Sequence, residues 1–326
     1  MNKNMEIAQL TDKDLETIRP LILNYRFNDY RNYRIFTKEV ATSYLMKQIT
    51  DLVAEHAPVF ILTEKSKVIA LCALKELPIE SEIFGFTMAK LEYLITDASY
   101  AEEIRIKNAI ILFIIQFCKN KKIAHLSCRI DTSDFSAIHS LEAGGFILTD
   151  TLVTYGFNSN KYTLAAIKDF WTVRKFENGD LENLMDIARD AFFDTRFYID
   201  LHTRKKAGEF YTEWAKRSCQ GRWADCIFVA ERKGKIIGFA TYKLDEKLYN
   251  FSGIKILGRG LIATVPNIMG VFATLLKALI REGKEIFRTD DAEFETQINK
   301  FSVIKTYQRF GLQMLRAKHA FHKWLE

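Results

Sequence analysis

The sequence has few of the residues that interrupt regular structure. Only 4 of its 326 residues are proline and 15 are glycine, while 48% are hydrophobic and 27% are charged. This composition excludes a collagen-like or largely disordered chain and is typical of a folded globular protein. The length is generous for one domain and comfortable for two.

Cysteine is scarce, and long hydrophobic runs are lacking. The five cysteines form no CxxC pair, which argues against a disulfide framework and predicts reduced thiols in a cytoplasm. The longest apolar stretch, Ala109–Phe117, is far too short to span a bilayer and predicts a buried helix. The first residues alternate charged and apolar side chains at helical spacing and lack the apolar core of a signal peptide. We therefore expect a cytoplasmic protein that does not insert into a membrane.

Positive charge is not concentrated in any one segment. The formal net charge is +6, but the basic residues are spread among acidic ones, and no Lys/Arg run interleaves with aromatic residues. This pattern favours a mildly basic enzyme with small anionic ligands over a nucleic-acid-binding protein. His319 and His322 have no cysteine or carboxylate at ligand spacing, so no metal site is predicted.

One motif occurs in each half of the chain. Residues 59–74, VFILTEKSKVIALCAL, match residues 227–242, IFVAERKGKIIGFATY. Each segment reads as an apolar strand, a short charged turn and a second apolar strand. Ser66 and Gly234 are placed in the predicted hairpin turns.

A second motif repeats near the end of each half. Residues 137–148, AIHSLEAGGFIL, match residues 303–314, VIKTYQRFGLQM. Each segment predicts a helix that ends at a glycine, Gly145 or Gly311, and a following strand. Because both motifs recur at a similar offset, the sequence predicts a duplicated domain rather than a short solenoid repeat.

Both halves have the same order of elements: amphipathic helices, a hairpin, a third strand, a long apolar helix, a fourth strand, a short helix and a last strand. This order predicts the α+β class, with one mixed, mostly antiparallel sheet flanked by helices in each half. The segment from Asn158 to Asp169 is expected to link the halves. The other predicted elements are helices 11–24, 37–55, 102–119, 179–192, 204–220 and 269–282, and strands 90–96, 123–130, 256–264 and 285–290.

Several short phrases occur in a characteristic order over nearly the whole chain: SEIFGF at 81–86, AFFDTRF at 191–197, FYTEW at 210–214, Thr296-Gln297, YQRFG at 307–311 and FHKWL at 321–325. Together they resemble the GNAT superfamily of acetyl-CoA-dependent N-acyltransferases, and within it the tandem dTDP-fucosamine acetyltransferase family. The resemblance implies two tandem GNAT-like domains. The domain at 1–160 would be degenerate, and the domain at 161–326 would hold the acyl-CoA site.

The first half departs from the cofactor site of this family. Between its third strand and long helix it reads DASYAEEIRIKNAI, without glycine and with Glu102 and Glu103 where pyrophosphate would arrive. Leu141 stands where the second half has Tyr307 and cannot donate a proton. The resemblance therefore implies that the first domain has a structural or substrate-framing role.

The second half contains a segment that fits the cofactor turn of the family, Gln/Arg-x-x-Gly-x-Gly/Ala followed by paired leucines. Backbone N–H groups at a helix N-terminus hold pyrophosphate, and a small residue lets the anion approach. Phe272 departs from the pattern, and an ordinary junction in which Pro266 starts the helix is the alternative. The predicted cofactor-binding residues are Asn267, Ile268, Met269, Gly270, Val271 and Phe272, with Leu275-Leu276 following.

The strand before this turn is expected to supply backbone groups from Leu261, Ile262 and Ala263. In the superfamily this strand splays from its neighbour, and its free N–H groups polarise the thioester carbonyl. Gly258 and Gly260 would permit such a splay, although an ordinary turn explains them equally well.

The resemblance implies that Tyr307, four residues before Gly311, is the general acid that protonates the departing CoA thiolate. The alternative is a partly buried aromatic residue on the helix. The asparagine that usually lies seven residues earlier is replaced by Lys300, with Asn299 beside it. Both are predicted at the cofactor, where Lys300 either contacts a CoA phosphate or is simply solvated.

The family also suggests Asp150 as a base that acts through water, although a surface acid is the alternative interpretation. The resemblance implies that the loop with Arg196, Phe197 and Tyr198 covers the acceptor. Arginine can bind a diphosphate, and aromatic rings can stack on a base or sugar. Tyr211 is predicted to join them, with core packing as its alternative role.

The resemblance therefore implies an N-acetyltransferase that uses acetyl-CoA, without a metal, and acts by direct attack of a primary amine on the thioester. The acceptor that the resemblance implies is a nucleotide-linked amino sugar. Another small amine or a peptide is one alternative, and a catalytically silent tandem protein that binds a ligand or partner is another. We expect a small-molecule partner, and a homodimer is left open.

Overall fold

The computed structural model describes residues 5–158, 169–258, 260–289 and 291–325, so that most of the predicted linker lies outside the described residues. The chain divides into two compact units. The first comprises Met1–Thr151 with Ala317–Glu326, and the second comprises Leu152–Arg316. The predicted division at residue 160 keeps each half contiguous. In the structure, by contrast, the first unit includes residues 317–326 from the end of the second half. The second unit includes residues 152–158 from the end of the first half.

The first half of the chain has the predicted order of elements with two additions, a first strand and a short helix after the hairpin. Three segments of the described chain are 3₁₀ helices: Asp12–Ile18, Asn178–Asp180 and Arg204–Lys206. The elements are β1 (Met5–Gln9), α1 (Arg19–Asn24), α2 (Lys38–Ala54), β2 (Val59–Glu64), β3 (Lys67–Glu76), α3 (Pro78–Phe84), β4 (Met88–Thr96), α4 (Tyr100–Asn120), β5 (His125–Asp131), α5 (Phe135–Ala143) and β6 (Ile147–Asn158).

The second half repeats this order, and it carries counterparts of the same two additions in β7 and α9. Its elements are β7 (Thr172–Lys175), α6 (Leu181–Ala191), α7 (Arg196–Ile199), α8 (Ala207–Cys219), β8 (Cys226–Arg232), β9 (Lys235–Leu244), α9 (Glu246–Ser252), β10 (Ile256–Gly258), β11 (Ile262–Thr264), α10 (Val271–Phe287), β12 (Asp291–Gln297), α11 (Phe301–Arg309) and β13 (Gln313–Trp324).

The strands of the first unit follow the order β1-β2-β3-β4-β5-β13. Only β4 and β5 are parallel, because the long helix α4 crosses between them. β4 pairs with β5 only as far as Leu91, whereas its pairing with β3 continues to Thr96. The added strand is β13, which runs antiparallel to β5 from Lys318 to Trp324.

The strands of the second unit follow the order β6-β12-β10-β9-β8-β7, with β11 attached to β9. The parallel pair here is β10 and β12, joined by α10. β6 runs antiparallel to β12, from Leu152 opposite Gln297 to Asn158 opposite Asp291. Each unit is therefore a mixed, mostly antiparallel sheet with helices, which confirms the predicted fold class.

Both predicted hairpins form, and their turns have the same conformation. Lys65 and Ser66 have φ of 51° and 63°, and Lys233 and Gly234 have φ of 51° and 75°. Two consecutive left-handed residues match the twist of paired antiparallel strands. The repeated turn therefore supports the duplication read from the sequence.

The sheet of the first unit separates two clusters of buried side chains. The predicted buried helix lies within α4, whose Ile106, Ile110 and Ile114 pack on one face of the sheet. Leu45 and Ile49 of α2 pack on the other face. Within the described ranges, no helix has the length and apolar character needed to cross a membrane.

Two predictions of secondary structure were wrong. Strand 285–290 does not form, because α10 continues to Phe287 and ends at Arg288 in the left-handed conformation, and the strand follows at Asp291–Gln297. The N-terminal residues, read as helical, form the strand Met5–Gln9 along β2. In both cases tertiary pairing overrides a short local pattern.

Candidate active site

The third strand of the second unit breaks where it leaves its neighbour. β10 pairs with β9 on one side and with β12 on the other, where Leu257 lies opposite Ala292. Beyond the break, β11 pairs with β9 alone, beginning with Ile262 opposite Ala240. Among the described residues, no strand pairs with the other side of β11. β11 and β12 therefore splay apart, as the family resemblance implies.

Gly260 lies at this break, where a side chain would not fit. A Cβ atom on Gly260 would lie 1.8 Å from the carbonyl oxygen of Thr241 on β9. The next residue, Leu261, donates its N–H to the Thr241 hydroxyl at 2.7 Å. In return, the N–H of Thr241 donates to the Leu261 carbonyl at 2.8 Å. These contacts fix the point at which the strand leaves β12.

Alternate backbone groups of β11 face the splay. The carbonyl of Leu261 and the N–H of Val265 bond to β9. By strand alternation Ala263 also faces β9, whereas Ile262 and Thr264 face away from it. Of the three predicted strand residues, only Ile262 presents its main-chain N–H to the splay. Thr264, which the sequence reasoning missed, presents the second N–H.

The turn between β11 and α10 is built on two left-handed residues, Asn267 with φ of 63° and Gly270 with φ of 80°. Gly270 is the N-cap of α10, a helix of 17 residues, and no side chain caps it. The first N–H groups of a helix have no intrahelical acceptor, so those from Val271 onward can meet an anion at the positive end of the helix dipole.

Two aromatic residues pack on this turn. A Cβ atom on Gly270 would lie 2.7 Å from Cδ2 of Phe170. The indole Nε1 of Trp171 donates to the carbonyl of Met269 at 2.8 Å. The Met269 side chain is 88% exposed, and Ile268 is half-buried. Glycine is therefore required at position 270 by its φ and by Phe170, independently of any ligand.

Phe272, the departure from the family pattern, packs inward. Its ring centroid lies 5.8 Å from that of Tyr307. The Tyr307 ring in turn lies 5.9 Å from Phe294 and 5.2 Å from Tyr155. Because the Phe272 ring belongs to this aromatic cluster, a bulky residue at its position is compatible with an anion at the start of α10.

Tyr307 lies on α11 and is only 2% exposed. Its hydroxyl donates to the main-chain carbonyl of Glu295 on β12 at 3.4 Å. Burial, aided by Glu295 and Tyr155, raises the pKa of Tyr307 well above its usual value of 10. The phenol therefore keeps its proton at neutral pH. It is held against the part of β12 that has parted from β10.

Sequence reasoning missed the carboxylates of β12. Oε1 of Glu295 accepts a hydrogen bond from the Thr154 hydroxyl at 3.0 Å. Arg316 lies 3.5 Å from Glu295 and 3.3 Å from Glu293. The side chain of Glu295 is 37% exposed, whereas that of Glu293 is 12% exposed. The alternation of acidic with buried residues in DAEFETQ was the available signal.

Lys300 is held by the loop that follows α6. Its Nζ lies 2.7 Å from Oδ1 of Asp194 and 4.6 Å from the centroid of the Phe193 ring. Lys300 is also the N-cap residue of α11, and Asn299 beside it is exposed. The lysine that replaces the family asparagine therefore ties α11 to this loop.

The predicted acceptor residues divide into buried and accessible ones. Phe197 is 2% exposed and packs 4.7 Å from Phe210, and Tyr211 is 7% exposed and stacks 4.5 Å from Phe192. The guanidinium of Arg196 lies 4.4 Å from the centre of the Phe197 ring.

Tyr198 is half-buried and donates its hydroxyl proton to the main-chain carbonyl of Arg189 at 3.2 Å. Burial, with Asp190 nearby, raises the pKa of Tyr198. Arg196 and Tyr198 are therefore the predicted acceptor residues that a ligand can reach most easily.

The first turn of the corresponding helix in the first unit, α4, carries two acidic residues, Glu102 and Glu103. Glu103 is 2% exposed and accepts hydrogen bonds from Ser136 at 2.7 Å and from Arg26 at 3.0 Å. Lys107 bonds to Asp134 at 2.6 Å. Burial alone would raise the pKa of Glu103, but the Ser136 hydroxyl and the cations Lys107 and Arg26 outweigh it and hold the pKa below its usual value. A buried carboxylate therefore lies in the first turn of α4, whereas the first turn of α10 has no acidic residue.

The other two residues singled out in the first half also lie in the first unit. Leu141 is fully buried in the core, and Asp150 is half-buried on β6. The assignment of Asp150 as a base stays a prediction.

The architecture matches that of solved structures over the whole chain. A GCN5-related N-acetyltransferase from Sphaerobacter thermophilus superposes with a TM-score of 0.67 at 11% identity, covering 100% of this chain and 97% of that one. The chain has the GNAT fold. A tandem GNAT protein from the clavulanic acid biosynthesis pathway superposes with a TM-score of 0.51 at 10% identity, covering 99% of both chains. An acetyltransferase of the GNAT family from Colwellia psychrerythraea gives 0.52 at 11% identity, covering 98% of this chain and 99% of that one.

Likeness in sequence is more limited. The spore coat polysaccharide biosynthesis protein SpsD of Bacillus subtilis is 28% identical over 152 residues, which are 45% of this chain and 49% of that protein. The aligned part thus spans about half the length of this curated relative. No family model matches the sequence.

Proposed function

We propose that this GNAT chain transfers an acetyl group from acetyl-CoA to a primary amine, and that the second unit carries the acyl-CoA site. The observation that supports this most is the splay between β11 and β12, with the protonated Tyr307 hydroxyl at its β12 side. The free N–H groups of Ile262 and Thr264 and the uncapped start of α10 complete the arrangement.

The residues present fit acetyl-CoA. The N–H groups from Val271 onward would bind the pyrophosphate, since α10 has no side-chain cap. Ile262 and Thr264 would donate to the thioester carbonyl and stabilise the oxyanion that forms on it. Acetyl-CoA supplies the activated acyl group, whose carbonyl carbon is the electrophile. Lys300, paired with Asp194, is a weaker candidate for a CoA phosphate than the helix start.

The chemistry follows from these positions. The amine nitrogen attacks the thioester carbon, the carbon–sulfur bond breaks, and an amide forms. The departing thiolate takes a proton from Tyr307. A base receives the proton that the amine loses. Asp150 is one candidate for this base, and Glu295 is a second, because its exposed carboxylate and the carbonyl bonded to Tyr307 belong to the same residue.

For the acceptor, we propose a nucleotide-linked amino sugar, approached by Arg196 and Tyr198. Arginine is suited to the diphosphate of such a ligand, and a tyrosine can pack against a sugar or base. The partial likeness to a spore coat polysaccharide biosynthesis protein is consistent with a sugar acceptor. Another small amine or peptide remains the alternative acceptor. The acidic first turn of α4 supports a framing role for the first unit, because carboxylates there would repel a pyrophosphate.

The test is release of free CoA thiol from acetyl-CoA by the purified protein. A panel of acceptors should include a dTDP-4-amino-4,6-dideoxyhexose, the matching free amino sugar, an amino acid and a short peptide. Release with the nucleotide sugar alone supports the full proposal, whereas release with another amine overturns the acceptor. If calorimetry shows that acetyl-CoA binds, but no acceptor in the panel leads to release of CoA thiol, the protein would instead be a silent binding protein.

A further inference from the structure

A strip of basic side chains crosses one face of the first unit's sheet. Lys90, Arg129 and Lys318 lie on the adjacent strands β4, β5 and β13. Their neighbours in sequence point to the opposite face, into the core. Those core neighbours include Ala89, Leu91, Cys128 and Ile130, and Phe321 of β13 lies in the same core. The three cations, here called the basic strip, therefore share the face that turns away from α4.

Carboxylates neutralise two of the three positive charges of the basic strip. Lys90 pairs with Glu92 at 2.8 Å, with about a quarter of each side chain exposed (26% and 27%). Lys318 pairs with Asp29, which comes from the loop between α1 and α2. Arg129, at the centre of the strip, is half-buried and has no ion-pair partner within the part of the chain that the structure describes.

The same loop supplies a further pair at the edge of the strip. Arg31 lies 2.9 Å from Asp131, the residue opposite Lys318 in the sheet. The carboxylate nearest to Arg129 along β5 is therefore already engaged by another guanidinium. The loop between α1 and α2 therefore supplies a carboxylate to Lys318 and a guanidinium to Asp131, and the positive charge of Arg129 is not neutralised by either pair.

The strip cations are close enough to repel one another. Burial lowers the pKa of Lys90, and Glu92 opposes this effect, while Arg129 and Lys318 add to the lowering. A bound anion would relieve this repulsion and would give the Arg129 guanidinium the partner it lacks.

The spacing of the strip indicates the kind of anion. The strip runs diagonally across the sheet, because Lys90 lies opposite Ser127 and Lys318 opposite Asp131, two positions to either side of Arg129. With strands about 4.8 Å apart and a rise of about 3.3 Å per residue, the Cα atoms of Lys90 and Lys318 are roughly 16 Å apart, and that of Arg129 lies midway. This span suits two linked phosphates better than one, with the planar guanidinium of Arg129 between two ammonium groups. We propose that the basic strip is a binding site for a diphosphate-bearing small molecule, with Arg129 as its central contact.

This site is separate from the acyl-CoA site proposed on the second unit and does not depend on acyl transfer. The proposal is therefore tested by binding alone. The full-length protein is titrated calorimetrically at low salt with inorganic pyrophosphate and with thymidine diphosphate. Binding is expected for both and should weaken as salt is added. Acetyl-CoA is titrated in parallel because it carries its own pyrophosphate.

Arg129→Met should weaken pyrophosphate and thymidine diphosphate at least tenfold and leave acetyl-CoA affinity unchanged. Lys90→Met gives an independent variant if the first does not fold, as judged by thermal denaturation, and it should weaken both anions several-fold. Arg34→Met is the matched control, since Arg34 is an exposed arginine on the same loop region. The proposal is overturned if the wild type binds neither anion at millimolar concentration. It is also overturned if Arg34→Met weakens binding as much as Arg129→Met does.

Discussion

Lys300 and Asp194 form an ion pair of 2.7 Å that joins the start of α11 to the loop after α6. The two residues are about a hundred positions apart in sequence, and each is about one-quarter exposed. α11 carries Tyr307, and the loop leads directly into Arg196 and Tyr198. The pair therefore connects the proposed acid with the proposed acceptor loop.

Breaking this pair should affect the acceptor more than the cofactor. Lys300→Met and Asp194→Asn should each raise the acceptor KM several-fold and change acetyl-CoA KM little, because either variant frees the loop. Stability should fall by less than about 1 kcal/mol, as is usual for partly exposed pairs. The charge-swapped double variant, Lys300→Asp with Asp194→Lys, should recover most of the loss. Steady-state kinetics and urea unfolding provide the measurements.

Lys305→Met is the control, since Lys305 is an exposed lysine on the same helix. An increase in acetyl-CoA KM with Lys300→Met that Asp194→Asn does not reproduce would contradict the pairing role. That outcome would indicate a contact between Lys300 and a CoA phosphate.

Tyr307→Phe tests the proposed acid. Removing the hydroxyl should lower kcat by about 10² to 10⁴-fold, the usual contribution of general acid–base catalysis. Acetyl-CoA affinity should stay within a few-fold of wild type, because the ring remains in its aromatic cluster. Tyr155→Phe is a matched control, since its ring lies 5.2 Å from Tyr307 and is also buried. Full activity in Tyr307→Phe would remove this residue from the mechanism.

The repeated parts of the fold could be read from the sequence because they rest on local chemistry. Charged turns between apolar strands specify the two hairpins, and their left-handed residues confirm the turn type. The pairing partners of the last strand of each half, β6 with β12 and β13 with β5, could not be predicted in the same way. β6 and β13 each follow a helix and a glycine, and their alternation does not say which sheet edge they join.

The candidate site was predicted in outline, and its departures became clear only from tertiary contacts. Phe272 packs against the ring of Tyr307, and Lys300 forms an ion pair with Asp194. Both partners lie 35 or more positions away in sequence, so local patterns did not reveal them. β12 was misplaced because the apolar pair Ile286 and Phe287 at the end of α10 resembles the start of a strand. The alternating acidic residues of β12 reduce the hydrophobicity of the true strand. Glu295 was missed for the same reason.

The buried carboxylate of the first unit predicts a dependence of stability on acid pH. The pKa of Glu103 is held below its usual value of 4.5 in the folded chain. A carboxyl with a depressed pKa stabilises the fold above its unfolded pKa, and this contribution is lost as pH falls through the folded value. Wild-type stability should therefore decline below about pH 4.5, and Glu103→Gln should flatten that decline.

At neutral pH, Glu103→Gln should cost about 3 kcal/mol, because it removes one partner from a buried charged network that includes Lys107. Urea unfolding between pH 3.5 and 7 measures both effects. A difference of one bound proton between the folded and unfolded states changes the free energy of unfolding by about 1.4 kcal/mol per pH unit. Glu102→Gln is the matched control on the adjacent position, where the side chain is 53% exposed. Equal pH profiles for the two variants would contradict the role of Glu103.

Gly260→Ala tests whether the break between β10 and β11 is necessary for the cofactor site. The new methyl carbon would start 1.8 Å from the Thr241 carbonyl oxygen, so one strand must move. The movement should shift the N–H groups of Ile262 and Thr264 that we propose as donors to the thioester. We expect a stability loss of about 1 to 3 kcal/mol, as for other overpacked sites, with acetyl-CoA binding weakened at least tenfold. Gly179→Ala is the control, since a Cβ there meets nothing within 4 Å. Normal acetyl-CoA affinity in a folded Gly260→Ala protein would show that cofactor binding does not depend on the geometry of this break.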